Sequence, residues 1–196
     1  MRPVVFSIGH STHSIDVLLD LLRGQSITAV ADVRSSPYSR MNPHFNRESF
    51  AETLRLARIA YVFLGKELGA RSRDRSCYLN GKVQYERLAQ TDLFRVGLER
   101  VKQGAKSYRV AMMCAERDPM ECHRGILIAR YLEPHLEVQH ISPDGRLESQ
   151  DQLVERLLST FQLHATDMFR SKGETISEAY RRQGEIIAYQ LESASS

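Results

Sequence analysis

The chain alternates short apolar runs with segments in which apolar positions recur every three or four residues. The runs PVVFSIG (3–9), ITAVADV (27–33), AYVFL (60–64), YRVAMM (108–113) and LEVQHI (136–141) have the length and continuity of buried strands. Between the first two, Ile15, Leu18, Leu19 and Leu22 share one helical face, and Gly24 follows as a natural stop. The same spacing predicts helices over 47–59 with Asn46 as cap, over 84–103 in one or two pieces ended by Gly104, from Pro119 onward, over 150–161 and over 174–192. Strands apolar on both faces, each followed by an amphipathic helix, predict an α/β fold. The expected form is a three-layer, Rossmann-like arrangement with a mostly parallel sheet of about five strands, plus C-terminal helices.

Residues 1–163 are expected to form the α/β domain. Residues 164–196 are expected to form a helical extension that packs on that domain or, as a homodimer, on a second copy, through Ile176, Tyr180, Ile187 and Leu191. The segment 65–83 is a long loop, and loops of that length inside a domain tend to carry function or to lack order.

Composition narrows the class. A chain of 196 residues with 42% hydrophobic and 26% charged positions is that of a globular protein with a core of its own. No stretch approaches the ~20 apolar residues of a membrane span, and MRPVVFSIGHSTHS has neither the apolar run nor the cleavage site of a signal peptide. Three cysteines are too few for a disulfide framework, so a cytoplasmic, reducing setting is expected. The net charge of +3 is unevenly placed: 34–47 holds three arginines and no carboxylate, and 66–87 holds six Lys/Arg against three acids. Such loops suit an anionic small molecule or a nucleic acid.

In open α/β sheets, ligands sit beyond the carboxyl ends of the strands. Those ends carry His10, Ser11 and Thr12, then Asp32 and Arg34, then Gly65 and Lys66, then Cys114 and Glu116. A strand order of 3-2-1-4-5 would set His10 beside Cys114; a flavodoxin-like order would set it beside Gly65 and Lys66. The densest chemistry is CAERDPMECHRG, residues 114–125. Asp118, Pro119 and Glu121 read as a helix start. Counting from there, Arg124 falls on the apolar stripe of Met120, Leu127, Ile128 and Tyr131. A guanidinium so placed needs an anion: Asp32, Glu116 or a ligand phosphate or carboxylate. Cys114, at a strand end before a helix, is a candidate nucleophile with His10, His13 or His123 as base, although no Cys-x5-Arg loop follows it. Glu116 is a candidate acid or base. Gly9-His10-Ser11-Thr12 can serve as a short phosphate loop or simply cap the next helix. Cys114, Cys122, His123 and His10 would suit zinc or iron by type, but on a helix Cys122 and His123 point about 100° apart, so no metal is expected there.

Four of these stretches together resemble one family. GHS (Gly9 to Ser11), DVRSSPYSR…NPHFN (Asp32 to Asn46), LGKELGAR (Leu64 to Arg71) and CAERDPMECHR (Cys114 to Arg124) are similar to the DUF488 family, bacterial and archaeal proteins of undefined function. The segment DMFRS…EAYRRQGEIIAY (Asp167 to Tyr189) resembles its longer members. The resemblance implies one α/β domain and a shared motif set of His10, Ser11, Asp32, Arg34, Pro37, Cys114, Glu116, Cys122, His123 and Arg124. It names no reaction and no cofactor.

The leading expectation is an enzyme or ligand sensor for a phosphate-bearing ligand, a nucleotide or nucleic-acid end. Cys114, Glu116 and His10 would do the chemistry; Ser11, Thr12, Asp32, Arg34, His123 and Arg124 would hold the anion. One alternative is a non-catalytic nucleic-acid-binding module using Arg34, Arg40, Arg47, Arg71, Arg73 and Arg75. Another is a metal-dependent hydrolase or redox protein built on Cys114, Cys122 and His123.

Overall fold

A computed structural model describes residues 2–163 and 170–191. The first half runs β1 (Val4–Gly9), α1 (Ile15–Gly24), β2 (Ala29–Asp32), α2 (Arg47–Leu56) and β3 (Ala60–Phe63). The segment expected to be a long loop contains a short α3 (Gly65–Leu68) and a hairpin of β4 (Tyr78–Leu79) and β5 (Lys82–Val83). It leads into α4 (Tyr85–Ala89), α5 (Asp92–Gly104) and β6 (Val110–Cys114). A 3-10 turn (Pro119–Glu121) and one stretch of π-helix (Arg124–Ala129) precede α6 (Arg130–Leu132). The chain ends with β7 (Glu137–Ile141), β8 (Leu147–Ser149), α7 (Gln150–Thr160) and α8 (Lys172–Ile187). The first three residues of the segment beginning at Asp167 lie outside the described residues.

The main sheet has six strands in the order β3-β2-β6-β1-β7-β8, all parallel except β8. This is neither expected order: the fourth parallel strand, β6, is inserted between β2 and β1. β8 is a sixth strand too short to leave a pattern, and it reaches the edge of β7 through the turn in which Ser142 N–H donates to the Arg146 carbonyl (2.8 Å).

Two apolar layers follow from strand alternation. Phe6, Ile8, Val30, Ala111 and Met113 face α1 and α2 through Leu18, Leu22, Phe50 and Leu54. Val5, Ala31, Val110, Met112 and Val138 face α5, α7, α8 and the π-helical stretch through Phe94, Leu153, Ala179 and Ile128. α8 therefore spends Thr175, Ala179, Tyr180 and Gly184 on this chain's own core. Ser171 and Glu174 start it with a reciprocal capping box. No helix among the described residues is long and apolar enough to cross a membrane.

One polar chain crosses the second layer. His140 sits at an inward position of β7, 1% exposed. Its Nε2 donates to Gln150 Oε1 (2.7 Å), which leaves Nδ1 to accept from the Ser7 hydroxyl (2.6 Å). Gln150 Nε2 donates in turn to the Gly125 carbonyl (3.2 Å) and the Tyr180 hydroxyl (2.7 Å). Every group is satisfied, as burial requires, and the chain ties β1, β7, α7 and α8 to the π-helical stretch.

Burial pushes the His140 imidazole down to about 4, from an ordinary value near 6.5. The folded chain therefore binds this proton less readily than the unfolded one. The stability it contributes is present above pH ~6.5 and is lost as pH falls toward ~4, by up to about 3 kcal/mol for this group. Urea unfolding from pH 7 to 4 will show this slope, and His140→Gln will flatten it. An unchanged slope in the variant would mean that other groups carry the acid sensitivity.

Candidate functional site

β6 ends in the middle of the sheet, so Cys114 has a strand turn on each side. Gly9 is its partner on β1, and the first two residues beyond β1 continue the ladder: His10 N–H donates to the Cys114 carbonyl and Ser11 N–H to the Ala115 carbonyl (2.9 Å each). On the other side, Val33 N–H donates to the Met113 carbonyl (3.0 Å). The turn after β6 presses on β1 so closely that a Cβ on Gly9 would lie 1.9 Å from the Glu116 carbonyl oxygen. Only glycine fits there.

The turn is held by Arg124, which is 1% exposed. Its Nη1 donates to the Glu116 carbonyl (2.7 Å) and its Nη2 to the Arg117 carbonyl (2.9 Å). The expected carboxylate or ligand partner is thus replaced by two backbone oxygens, and Arg124 does not reach the pocket described below.

The helix expected from Pro119 does not run through. Asp118 caps the 3-10 turn, its Oδ1 accepting from Met120 N–H (2.8 Å). Cys122 is then extended (φ −134°, ψ 141°), and helical geometry resumes at His123. A Cβ on Gly125 would fall 2.2 Å from the Pro119 carbonyl oxygen, so this tight re-entry also needs glycine. The break removes the angular separation expected of Cys122 and His123 and lets both side chains turn to Cys114. One atom from each of Cys114, Glu116, Cys122 and His123 lies within 4.8 Å of every other. His123 Nδ1 is 3.8 Å from Cys114 Sγ and 3.7 Å from Cys122 Sγ. Its Nε2 is 3.1 Å from the Val33 carbonyl, which can only accept, so Nε2 carries a hydrogen. Cys122 Sγ donates to Glu116 Oε2 (3.0 Å) and accepts from Arg124 N–H (3.5 Å).

Burial pushes the Cys114 thiol well up. Cys122 moves the other way against its own burial, drawn down by the Cys114 thiol, the Arg124 charge and His123. His123 is raised, since the Cys122 sulfur outweighs burial. Burial and the same sulfur raise the Glu116 carboxyl.

Arg34 and Asp32 form a second unit. Asp32, fully buried, receives Arg34 Nη2 (2.7 Å), Arg34 Nε (2.9 Å) and the Tyr61 hydroxyl (2.9 Å). Asp32 is thus the counter-charge of Arg34. His10 lies on the α2 side of the sheet, stacked on Phe45 with ring centroids 4.3 Å apart. Burial and the Arg34 charge push it down to about 4. Cys114 belongs to the opposite layer, so the imidazole that meets it is His123, not His10. Ser11 and Thr12 lie outside the pocket, and the two N–H groups of His10 and Ser11 are spent on β6 rather than on an anion.

A cleft of about 210 Å³ opens over the four-residue cluster. Arg34, Ser35 and Ser36 form one wall, Ala70 and Arg71 another, and Ile187 and Tyr189 from the end of α8 close it. Arg71 stacks over the Tyr189 ring at 4.6 Å, and its N–H donates to Ser35 Oγ (2.9 Å). The sequence gives no local signal for Tyr189 or Ile187 as walls, because the contact is made across the whole chain. Ser7 and Gln150 were equally unmarked, whereas His140 is a polar residue in phase with inward-facing Val138.

These features define an α/β protein with a thiol-, imidazole- and carboxyl-floored cleft at the carboxyl rim of its sheet. The chain belongs to the family described as domain of unknown function DUF488, which matches residues 14–132 and so includes every floor residue. No curated protein and no solved structure matches the chain.

Arg124→Met takes the donors away from the Glu116 and Arg117 carbonyls and will lower stability by about 2 kcal/mol in urea unfolding, with Arg124→Lys recovering part of the loss. A stable, unperturbed Arg124→Met chain would mean that the turn after β6 does not depend on the Arg124 clamp.

Proposed function

We propose that the rim cleft receives a phosphate-bearing ligand, a nucleotide or a nucleic-acid end, and acts on it with the groups at its floor. The observation that carries this reading is the state of the cations at the cleft and on the segments that lead to it: Arg71 lines the cleft, and Lys66 and Arg73 line the adjoining depression. Among the described residues, Arg47, Lys66, Arg71, Arg73 and Arg75 make no ion pair, although helix arginines elsewhere (Arg23, Arg55, Arg95, Arg181) each pair with a carboxylate one turn away. Three of the five stack on rings: Arg47 on Phe63 (4.7 Å), Arg71 on Tyr189 (4.6 Å) and Arg75 on Tyr78 (5.9 Å). A stacked guanidinium keeps its edge donors free for phosphate oxygens and loses little freedom on binding. A second depression of about 560 Å³ shares Ser35 and Arg71 with the cleft and adds Lys66 and Arg73, alongside the carboxylates of Glu67, Asp74 and Asp92.

At the floor, Cys114, Cys122, Glu116 and His123 supply nucleophile and proton-transfer groups within reach of one another. His123 takes the part that the sequence suggested for His10. A purely nucleic-acid-binding module would use the same cations, but it has no use for two buried thiols and a buried imidazole gathered with a rim carboxyl under the opening. That cluster favours chemistry over binding alone.

Fluorescence titration with a short labelled oligonucleotide tests the reading. The 5′-phosphorylated form should bind at least tenfold more tightly than the unphosphorylated form. Arg71→Gln should remove most of that preference, and log affinity should fall with log salt at a slope of about −2, as for three phosphate contacts on a single strand. No binding, or equal affinity for both forms, would sink it.

A further inference from the structure

We infer that Cys114, Cys122 and His123 are the protein ligands of one thiophilic divalent ion, zinc or iron(II), with Glu116 at a fourth, exchangeable position that opens on the cleft. Three observations carry it. The first is distance. Metal–sulfur bonds of about 2.3 Å and metal–nitrogen bonds of about 2.0–2.1 Å, at the tetrahedral angle, put sulfur and nitrogen about 3.6 Å apart. The two S···Nδ1 separations here are 3.7 and 3.8 Å.

The second is orientation. The Val33 carbonyl takes the Nε2 hydrogen of His123 at 3.1 Å, and an imidazole anchored in this way can aim a bare Nδ1 at a metal. His123 is 6% exposed, Cys114 3% and Cys122 1%, so all three donors are fixed by packing rather than by solvent. The third is the backbone. The helix breaks at Cys122 and re-enters against Pro119 at a position that tolerates only Gly125, which turns two adjacent side chains to one point. A continuous helix would have been easier to form and would have separated them.

Charge and softness select the ion. Two thiolates and a neutral imidazole balance a divalent cation, and the Arg124 N–H directed at Cys122 Sγ (3.5 Å) stabilises the sulfur charge. Thiolates exclude magnesium and calcium, which take oxygen. Binding breaks two S–H bonds, forms two metal–sulfur bonds and releases two protons to solvent. Glu116 differs from the other three: the residue is open to solvent at the rim while its carboxyl turns down onto the cluster, its Oε2 bonded to Cys122 Sγ. Its carboxylate is the donor that a water or a ligand oxygen entering the cleft would replace. The ion would then polarise that oxygen, the ordinary use of a metal site with one open position. The ion site is independent of the lip cations, because none of the three ligands is among them, but it shares the floor with the proposed chemistry, and with an ion in place the thiols and imidazole serve there as ligands.

The test is metal content and cobalt(II) substitution in the full chain, purified without a metal-affinity tag. We expect about one zinc or iron per chain. The cobalt(II) form should show a thiolate charge-transfer band with the intense visible bands of a tetrahedral site, and two protons should be released per ion. Cys122→Ser and His123→Gln should each weaken cobalt binding about 100-fold, and Glu116→Gln by tenfold or less with the thiolate band retained. Cys77→Ser, at a thiol buried in the core outside the cluster, should leave cobalt affinity and the thiolate band unchanged even where it lowers stability. Circular dichroism separates lost ligation from lost folding, and a mercurial added to the unaltered zinc-loaded chain should release zinc without any substitution. Failure to take up zinc or cobalt, a cobalt spectrum without the thiolate band, or equal loss in Cys77→Ser would overturn the site. Arg71→Gln should leave the cobalt spectrum as it is, so a failed phosphate reading would not be mistaken for a failed metal site.

Discussion

A guanidinium cannot shed its charge, and Arg124 is nonetheless buried with its Nη groups closed on the carbonyls of Glu116 and Arg117. That constraint sets the rest of the rim. The two carbonyls fix the turn after β6. The turn, so fixed, lies against Gly9 closely enough to exclude any side chain there, and it presents the Glu116 carboxyl to Cys122. Arg124 can reach those carbonyls because the chain has already broken its helix at Cys122. The same break brings Cys122 and His123 round to Cys114. Cluster and clamp are therefore one local solution: a chain that closes the two Nη groups of the buried guanidinium in this way also gathers the four donor residues.

The sheet order gives that solution its position. Inserting β6 between β2 and β1 places Cys114 with the Val33–Arg34 turn on one side and the His10–Ser11 turn on the other. The Val33 carbonyl can then orient His123 from one neighbouring strand, while the N–H groups of His10 and Ser11 brace the turn after β6 from the other. A strand at the sheet edge could not be braced from both sides. The buried chain through Ser7, His140, Gln150 and Tyr180 ends on the Gly125 carbonyl and supports the π-helical stretch from behind. Satisfied polar networks of this kind restrict a core to one arrangement.

The fold class was legible because periodicity is a local property. Runs such as VVFSIG and AVAD announce strands, and Leu18 and Leu22 announce the face of α1 wherever those elements end up. The strand order was not legible: β1 and β6 are joined by contacts across a hundred residues, and nothing in either run names its neighbour. Arg124 was recognisable as a buried charge in need of a partner, but its partners are backbone oxygens, which carry no residue identity. The break at Cys122 was hidden for a related reason. Asp118-Pro119-Met120-Glu121 is a good helix start, and the extended residue that interrupts it is a cysteine, with no turn propensity to betray it. Reading a helix straight through that point separated Cys122 from His123 on paper and made a shared donor site look geometrically unsound. His10 was attractive because it ends the strand beside Cys114, yet its ring lies on the other layer, with Phe45.

Ile187 and Tyr189, at and just beyond the end of α8, help to wall the cleft. Val83 N–H donates to the Tyr189 carbonyl (3.0 Å) and Leu191 N–H to the Gly81 carbonyl (2.8 Å), so the end of α8 is stitched to the β4–β5 hairpin. Tyr189 is thereby held under Arg71, at the lip of the cleft. Without that wall the floor donors would face bulk water, where charge–charge terms weaken severalfold. With it, a cluster rich in sulfur and carboxyl lies beneath a lip rich in guanidinium, and the two polarities sit in one enclosed space. An anion drawn in by the lip meets electron-rich groups at the floor, and like charges in a partly desolvated cleft repel. A divalent ion among the thiols would remove that conflict, since it neutralises the floor and offers the anion a second attraction in line with the first. The anion is held by the lip cations and the ion by the floor donors, and electrostatics makes each more reasonable in the presence of the other.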